Sequence, residues 1–285
     1  MKICRFNDNC LGLVREGRIH DVSVALDDLP AMRWPVPMGD QLITNLDTLR
    51  PRIEAAAAGA DTHEVSAVKL LNPVANPSKI IGAPVNYQAH IDEAIADPDL
   101  KQDPTIKTIA DWGLFLKATS SLVGASEGVA LRFLDRRNDH ELEFAIVIGK
   151  PGTNIDEGDA IDHVAGYSMG FDMTLRGPEL LSWRKSIESY AVLGPWLVTT
   201  DEIPDAGDIE FKLTVNGEVR QHANTKSLGW NVPKLISYAS THYTLYPGDI
   251  ILTGSPEGVA PVNPGDVMVA EAAGIGRMEI AIRAA

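Results

Sequence analysis

Cysteine is almost missing from this sequence of 285 residues, in which Cys4 and Cys10 stand alone. Two cysteines are too few for a disulfide framework, so we expect both to be free thiols in a reducing compartment such as the cytoplasm. No apolar run approaches the roughly 18 residues that a membrane-spanning helix needs. Residues 1–10 also lack the apolar segment of a signal peptide. We therefore expect no membrane partner.

Basic residues are scarce as well, with 25 Lys and Arg against 39 Asp and Glu and a net charge of −14. This balance argues against a nucleic-acid partner, whose binding surface would be basic. It also opposes an anionic substrate, unless a metal ion or local basic residues reverse the field in one pocket. A metal site is therefore worth seeking in an otherwise ordinary globular composition, with 45% hydrophobic residues.

Short segments with strand character dominate the chain. Residues 2–6, 12–16 and 22–25 are predicted strands and residues 50–60 a helix led by proline. Two prolines within 72–77 indicate a linker, so we predict a small N-terminal α+β domain over 1–75 and a larger domain over 76–285. The larger domain lacks regular βαβ alternation, which predicts a β-rich α+β fold. Asn216-Gly217 predicts a hairpin turn.

Three acidic residues are candidate metal ligands. Strand periodicity places Glu141 and Glu143 on the same face of a predicted strand over 142–148. Like charges this close repel unless a cation lies between them, and carboxylate oxygens suit Mg²⁺. Asp172 lies in a mostly apolar strand-like segment, where an acid needs a partner. The alternatives are a solvated strand end for the glutamates and a turn or helix cap for Asp172.

His90 and Glu93 form a candidate general base. If residues 87–95 are helical, the two side chains are neighbours, and the carboxylate would orient the imidazole. The polar segment 97–105 follows at once, so the pair could ride on a mobile lid. The alternative is an ordinary surface pair.

Other candidates would contact an anionic substrate. Lys185 could bind a carboxylate or oxyanion, although a surface lysine is the simpler interpretation. Arg176 is a candidate carboxylate clamp. The turn Thr253-Gly254-Ser255 could line a small pocket or be only a turn.

A serine nucleophile is the competing interpretation. Residues 166–170 fit the G-x-S-x-G motif with Ser168 at its centre. That motif requires a strand–turn–helix context, which the surrounding pattern does not show. Ser168 is instead expected to pack within a strand.

Taken in order, these motifs resemble the fumarylacetoacetate hydrolase superfamily over residues 79–285. The matching pieces are Lys79-Ile80-Ile81-Gly82, Asn86-Tyr87, His90, Glu93, Phe115-Leu116-Lys117, residues 121–124, residues 139–150, residues 164–167, Lys185-Ser186, residues 193–196, residues 215–221, Asn224-Thr225, residues 247–254, residues 264–266 and Ile275-Gly276. The resemblance implies a mixed β-roll catalytic domain in a homodimer. It also implies that Glu141, Glu143 and Asp172 bind the metal, that His90 and Glu93 are the catalytic pair, and that Lys185 is the active-site lysine.

The sequence departs from the family pattern at several positions. Phe171 stands where Asn often precedes the metal-binding Asp, His140 stands where Tyr is common, and Ser255 replaces a common Thr. Glu179 lies where hydrolytic members often hold the substrate with Gln. An anion there would repel a substrate carboxylate unless it is protonated, paired or turned away.

The resemblance implies an Mg²⁺-dependent hydrolase, with Mn²⁺ or Ca²⁺ as substitutes, that cleaves a C–C bond in a small 2,4-dioxo acid such as an acylpyruvate. A metal-dependent decarboxylase or isomerase of a 2-oxo diacid in aromatic catabolism is the alternative, because one fold serves several reactions. A serine hydrolase and a non-catalytic oxo-acid binder are the remaining hypotheses.

Overall fold

Strands outnumber helices in the computed structural model, which describes residues 1–96 and 108–285. Within these residues the helices are α1 (Gln41–Thr44), α2 (Leu46–Ala57), α3 (Gln88–Ala96), α4 (Ile109–Trp112), α5 (Leu181–Lys185) and α6 (Val232–His242). The first ten strands are β1 (Lys2–Phe6), β2 (Cys10–Arg15), β3 (Arg18–Asp21), β4 (Thr62–Glu64), β5 (Leu70–Leu71), β6 (Ile80–Gly82), β7 (Phe115–Lys117), β8 (Leu122–Val123), β9 (Val129–Leu131) and β10 (Asn138–His140). The others are β11 (Leu142–Ile148), β12 (Val164–Asp172), β13 (Thr174–Leu175), β14 (Ala191–Thr199), β15 (Glu210–Val215), β16 (Glu218–Asn224), β17 (Ile250–Leu252), β18 (Ala260–Pro261), β19 (Val267–Ala272) and β20 (Gly276–Ala284). The predicted β-rich α+β class is confirmed, whereas the predicted lid at 97–105 lies outside the described residues.

Most described strands join one mixed sheet. Its path runs β4-β3-β2-β1-β14-β12-β11-β17-β6-β7, with β5 paired to β1 and β8 paired to β14. A five-stranded sheet has the order β16-β15-β19-β20-β9, and β13, β10 and β18 form a small third sheet. Strand β11 pairs antiparallel with β12, whereas β17 pairs parallel with β6. The large sheet therefore combines both strand directions, as expected of a mixed β-roll.

Strand β11 is buried on both of its faces. Leu142, Phe144 and Ile146 belong to a core cluster that also contains inward residues of β15, β19 and β20. Ala145 and Val147 belong to a second cluster, built with α2 and strands β1 and β2. The strand is thus enclosed between the five-stranded sheet and the N-terminal helix layer, which explains its nearly continuous apolar sequence.

Helix α2 begins four residues earlier than predicted. Leu46, Leu49, Ile53 and Ala57 are buried at spacings of three and four, which gives the helix one apolar stripe toward the core. Pro51 does not lead the helix but lies within it, on an exposed face. The prediction of a proline-led start was therefore wrong, because the buried leucines before Pro51 extend the stripe.

The prediction of a strand at residues 22–25 is also wrong. Ser23–Asp28 form a 3-10 helix, which follows a turn in which Asp21 Oδ1 accepts a hydrogen bond from the Ser23 N–H at 2.9 Å. A short acidic side chain that bonds the backbone two residues ahead favours such a turn over a strand.

The first 75 residues share the large sheet with the rest of the chain. Ile3 in β1 pairs with Leu197 in β14, and Arg5 in the same strand pairs with Leu71 in β5. The domain boundary at residues 75 and 76 stays a prediction. Both cysteines are free thiols, as predicted, and burial raises the pKa of Cys4 to about 12. No helix of the described residues is long and apolar enough to cross a membrane.

The hairpin between β15 and β16 provides a test of the backbone conformation. Asn216 and Gly217 have φ angles of 51° and 84°, the positive pair of a type I′ turn, and no atom lies within 4 Å of a Cβ added to Gly217. We expect Gly217→Ala to lower the free energy of unfolding by about 1–2 kcal/mol, the cost of a side chain in the left-handed region. Urea unfolding measures this change. Gly59→Ala, also in open space but without a positive φ, should be neutral or slightly stabilising; equal losses in the two variants would refute the explanation.

Candidate metal centre

Three buried carboxylates meet where strands β11 and β12 run side by side. Glu141 immediately precedes β11, Glu143 lies within it, and Asp172 ends β12. The Asp172 N–H donates to the Glu141 carbonyl oxygen at 2.9 Å, which places these residues opposite each other. One ligand atom from each side chain lies within 4.8 Å of the other two. Strand pairing thus brings together residues that are about thirty positions apart.

The charges of this cluster are not balanced evenly. The pKa of Glu143 is raised well above its usual value because the side chain is buried, with Asp172 and Glu141 beside it. Burial would also raise the pKa of Glu141, but Lys185 and Arg176 outweigh that effect and lower it. A cation at the centre would relieve the repulsion around Glu143. Three carboxylate oxygens at this spacing fit a hard divalent cation such as Mg²⁺ or Mn²⁺.

Two buried lysines converge on Asp172 from opposite sides. Lys185 donates to Asp172 Oδ2, to Thr174 Oγ1 at 2.6 Å and to Glu141 Oε2 at 3.0 Å. Lys117 donates to Asp172 Oδ1. Burial lowers the pKa of Lys117, whereas the carboxylates around Lys185 outweigh burial and raise its pKa. Lys185 is therefore the more firmly charged of the two.

Arginines extend this positive charge to one side. Arg176 donates to Glu141 Oε1 and to Asp139 Oδ2, both at 2.7 Å. Asp139 is fully buried and also accepts from Arg137 Nε at 2.8 Å. Arg176, predicted as a clamp for a substrate carboxylate, thus holds carboxylates of the protein in this structure. The basic side chains thus offset carboxylates of the protein, in a chain whose net charge is −14.

The predicted base pair lies on α3 and is anchored from outside that helix. His90 Nδ1 lies 3.4 Å from Glu93 Oε2. The Gly258 N–H donates to both oxygens of Glu93, at 3.1 and 3.0 Å. Burial would raise the pKa of Glu93, but the bonds from His90 and Gly258 outweigh it and lower the pKa. An ionised Glu93 only accepts hydrogen bonds, so the proton of the neutral imidazole resides on Nδ1 and Nε2 can accept one.

The turn after β17 supports the carboxylates through its backbone. The Gly254 N–H donates to Glu143 Oε2 at 2.6 Å. Thr253 donates through Oγ1 to the Phe144 carbonyl, and its own carbonyl accepts from Asn86 Nδ2. Ser255 accepts at Oγ from Gln221 Nε2 at 2.8 Å. Backbone and hydroxyl groups of this turn therefore fix the strand that carries Glu143.

Glu179 is not part of the carboxylate cluster. Its two oxygens accept from Arg136 Nη1 at 3.0 Å and Nη2 at 2.8 Å. The hydrogen bonds from Arg136 lower the pKa of Glu179, which keeps the pair ionised. An anion at this position would not repel a substrate carboxylate if it were protonated, paired or turned away. Glu179 is paired, with Arg136 as its partner.

Ser168 lacks the surroundings of a nucleophile. It lies inside β12 with no exposed surface, and its Oγ is 3.0 Å from the Gly194 and Trp196 carbonyl oxygens. The G-x-S-x-G match therefore occurs within a strand and not at a strand–turn–helix elbow, which removes the basis for the serine hydrolase hypothesis.

Sequence reasoning did not identify four residues of the site as functional: Lys117, Arg137, Asp139 and Gln221. Lys117 follows the apolar residues Phe115 and Leu116, the same signal that singled out Asp172. The other three carry no such signal. Gln221 and Asp139 each bond residues distant in sequence, whereas Arg137 bonds Asp139 two residues away.

A mixed β-roll with three clustered buried carboxylates and a histidine beside an anchored glutamate has the arrangement of an enzyme with a candidate metal centre. The chain belongs to the fumarylacetoacetate hydrolase family, because the family model described as Fumarylacetoacetate (FAA) hydrolase C-terminal matches residues 79–283. The resemblance drawn from the sequence is therefore confirmed.

Three similar proteins extend this result. Maleylpyruvate hydrolase of Aquipseudomonas alcaligenes is 54% identical over 285 residues, 99% of each chain. A crystal structure of maleylpyruvate hydrolase from Sphingobium sp. SYK-6 superimposes with a TM-score of 0.84 at 36% identity, covering 100% of both chains. A second structure of that protein, in complex with manganese(II) and pyruvate, gives a TM-score of 0.83 at 35% identity, over 100% of this chain and 99% of the other. Oxaloacetate tautomerase fahd2 of Xenopus laevis is 34% identical over 253 residues, 85% of this chain and 73% of the relative.

Cation binding should depend on pH through Glu143. A protonated Glu143 must lose its proton before it coordinates a cation, so affinity should rise with pH up to the raised pKa and then level off. We expect calorimetric titration with Mg²⁺ below that pKa to show proton release, which Glu143→Gln abolishes together with tight binding. Glu257→Gln, on the nearby turn but outside the carboxylate cluster, is the matched control. Binding that does not vary with pH would contradict this account.

Proposed function

We propose that this protein is a metal-dependent hydrolase that cleaves the C–C bond of a small acylpyruvate, with maleylpyruvate as the leading substrate. The observation that carries the proposal is the buried set of Glu141, Glu143 and Asp172, placed beside Lys185 and supported by the turn that anchors the His90–Glu93 pair. The full-length similarity to maleylpyruvate hydrolase supports this substrate.

The metal site is assigned to the three carboxylates, with Mg²⁺ as the proposed ion. Mn²⁺ is an alternative supported by the related structure with manganese(II) and pyruvate, and Ca²⁺ is a further substitute. When bound, the cation would supply Lewis-acid polarisation of the 2-oxo acid group. Lys185, Lys117 and Arg176 hold the ligand carboxylates in place.

His90 takes the role of general base. Glu93 fixes the tautomer by accepting from Nδ1, so Nε2 takes a proton from the attacking water. The water oxygen bonds to the carbonyl carbon distant from the 2-oxo acid group, and the positive charge of Lys185 stabilises the resulting oxyanion. The C–C bond next to that carbon then breaks, and its electron pair passes toward the 2-oxo group. The methylene carbon then receives the proton that His90 Nε2 took from the water, which leaves pyruvate and a second carboxylic acid.

Tautomerisation or decarboxylation of a 2-oxo diacid is the second candidate. The similarity to oxaloacetate tautomerase fahd2 favours it, because the same base could move a proton on the carbon beside a 2-oxo group. This reaction needs no attacking water, so its products distinguish it from hydrolysis.

We expect the protein to consume acylpyruvates, maleylpyruvate among them, when Mg²⁺ or Mn²⁺ is present, and not when a chelator is in excess. The fall in ultraviolet absorbance of the substrate measures this turnover. His90→Asn and Glu93→Gln should lower kcat by about 100-fold or more, the range for loss of general base catalysis. His242→Asn, an exposed histidine on α6, is the matched control. Pyruvate formation supports hydrolysis, whereas turnover of oxaloacetate alone would favour the second candidate. Cation binding without any turnover would indicate a non-catalytic oxo-acid binder, and turnover that ignores the chelator would contradict the metal centre.

Glu179 should have little effect on substrate affinity, because Arg136 already neutralises it. We expect Glu179→Gln to leave KM and kcat within about twofold of the wild type, since exposed ion pairs contribute little. Glu188→Gln, which removes another arginine-paired glutamate, is the control. A roughly tenfold fall in KM for Glu179→Gln alone, the effect of removing a unit charge near the substrate, would show that Glu179 faces the substrate.

Two predictions accompany this proposal. The enzyme is expected in the cytoplasm, and it is expected to form a homodimer. Fractionation and light scattering test them separately from the chemistry.

A further inference from the structure

Gln221 is the one buried side chain of strand β16. Its neighbours Arg220 and His222 are exposed, whereas Gln221 is 1% exposed. The register with β15 shifts here, since Leu213 pairs with Gln221 but Thr214 pairs with Val219. A β-bulge redirects a side chain relative to simple alternation. The bulge thus places a polar amide in the interior.

The Gln221 amide uses both of its ends. Oε1 accepts from the Leu142 N–H at 2.9 Å and lies 3.2 Å from His140 Nδ1. Nε2 donates to Ser255 Oγ at 2.8 Å and to the Pro256 carbonyl at 3.0 Å. The Leu142 N–H can only donate and the Pro256 carbonyl can only accept, so the orientation of the amide is unambiguous. All four bonds are buried, where each is costly to lose.

These bonds link the strand that carries Glu143 to the turn that holds Glu93. Leu142 lies between the candidate ligands Glu141 and Glu143. The turn that contains Ser255 and Pro256 continues to Gly258, whose N–H holds Glu93. That turn lies against β16, because a Cβ at position 258 would be 1.9 Å from the Arg220 carbonyl oxygen. One amide therefore spans from the metal-ligand strand to the support of the base.

We propose that Gln221 is a positioning residue that sets the distance between the carboxylate centre and the His90–Glu93 pair. The proposal rests on the proposed function for its kinetic consequence but not for its structural one. Gln221 contacts neither the three carboxylates nor the base directly. It acts through Leu142 on one side and through the turn at 255–258 on the other.

Two variants separate the two ends of the amide. Gln221→Met removes all four hydrogen bonds with little change in shape. Gln221→Glu keeps an acceptor for the Leu142 N–H and loses the donors to Ser255 and Pro256. His222→Met, the next residue on the same strand with its side chain exposed, is the matched control.

Hydrogen–deuterium exchange, read by mass spectrometry on the metal-free full chain without substrate, is the first measurement. We expect both Gln221 variants to speed exchange at Gly258 and in α3 by about tenfold, although Gln221 contacts neither. Only Gln221→Met should also speed exchange at Leu142. His222→Met should change none of these. Unchanged exchange at Gly258 and α3 in both variants, with folding intact by circular dichroism, would overturn the proposal.

Steady-state kinetics is the second measurement. A displacement of the base by about 1 Å is expected to lower kcat by roughly 10- to 100-fold, with KM changed much less. A role in stability alone would lower the melting temperature and leave kcat of the folded protein unchanged, which would also overturn the proposal. If the wild type turns over no acylpyruvate, the proposed function fails, but the exchange result still decides the role of Gln221.

Discussion

Burial of three carboxylates in one place is the constraint on which the rest of the site depends. Glu141, Glu143 and Asp172 are each nearly removed from water, where like charges repel most strongly. Lys185, Lys117 and Arg176 offset part of this charge, and the Gly254 N–H contributes one more hydrogen bond. A divalent cation would complete the balance. The same constraint explains why strongly basic side chains are concentrated here in a chain whose net charge is −14.

The site is assembled from two supports with different origins. The carboxylates are carried by paired strands at the centre of the large sheet, so their spacing follows from strand geometry. The His90–Glu93 pair is carried by helix α3, and Glu93 is fixed by backbone hydrogen bonds from a distant turn. Positional accuracy on the first support comes from the core, whereas on the second it comes from the buried Ile91 and Ala94 of α3 and a few hydrogen bonds. Gln221 bonds both to the strand of the first support and to the turn that holds the second.

The sequence supported prediction where the physics is local. Alternation predicted the shared face of Glu141 and Glu143, the pair Asn216-Gly217 predicted the hairpin, and an acid in an apolar run singled out Asp172. Prediction was wrong where local signals compete. At Pro51 the buried leucines before it extend the helix toward the N-terminus. At residues 22–25 the hydrogen bond from the Ser23 N–H to the Asp21 side chain favours a turn over a strand. Gln221 and Asp139 were beyond reach as site residues, since their importance lies in partners such as Leu142 and Arg176 that spacing alone does not locate.

Strand β11 is enclosed by hydrophobic core on both faces, and this has a consequence for how such an enzyme can change over time. A side-chain replacement along β11 disturbs packing against the five-stranded sheet or against α2, so that strand has little freedom to drift. Residues 177–183 are different, since they include the exposed Leu180 and Trp183 and the paired Glu179. Exposed residues there can be replaced without disturbing the packing around the strand that carries Glu143. The fold thus separates a strand with little tolerance for substitution from an exposed segment with more.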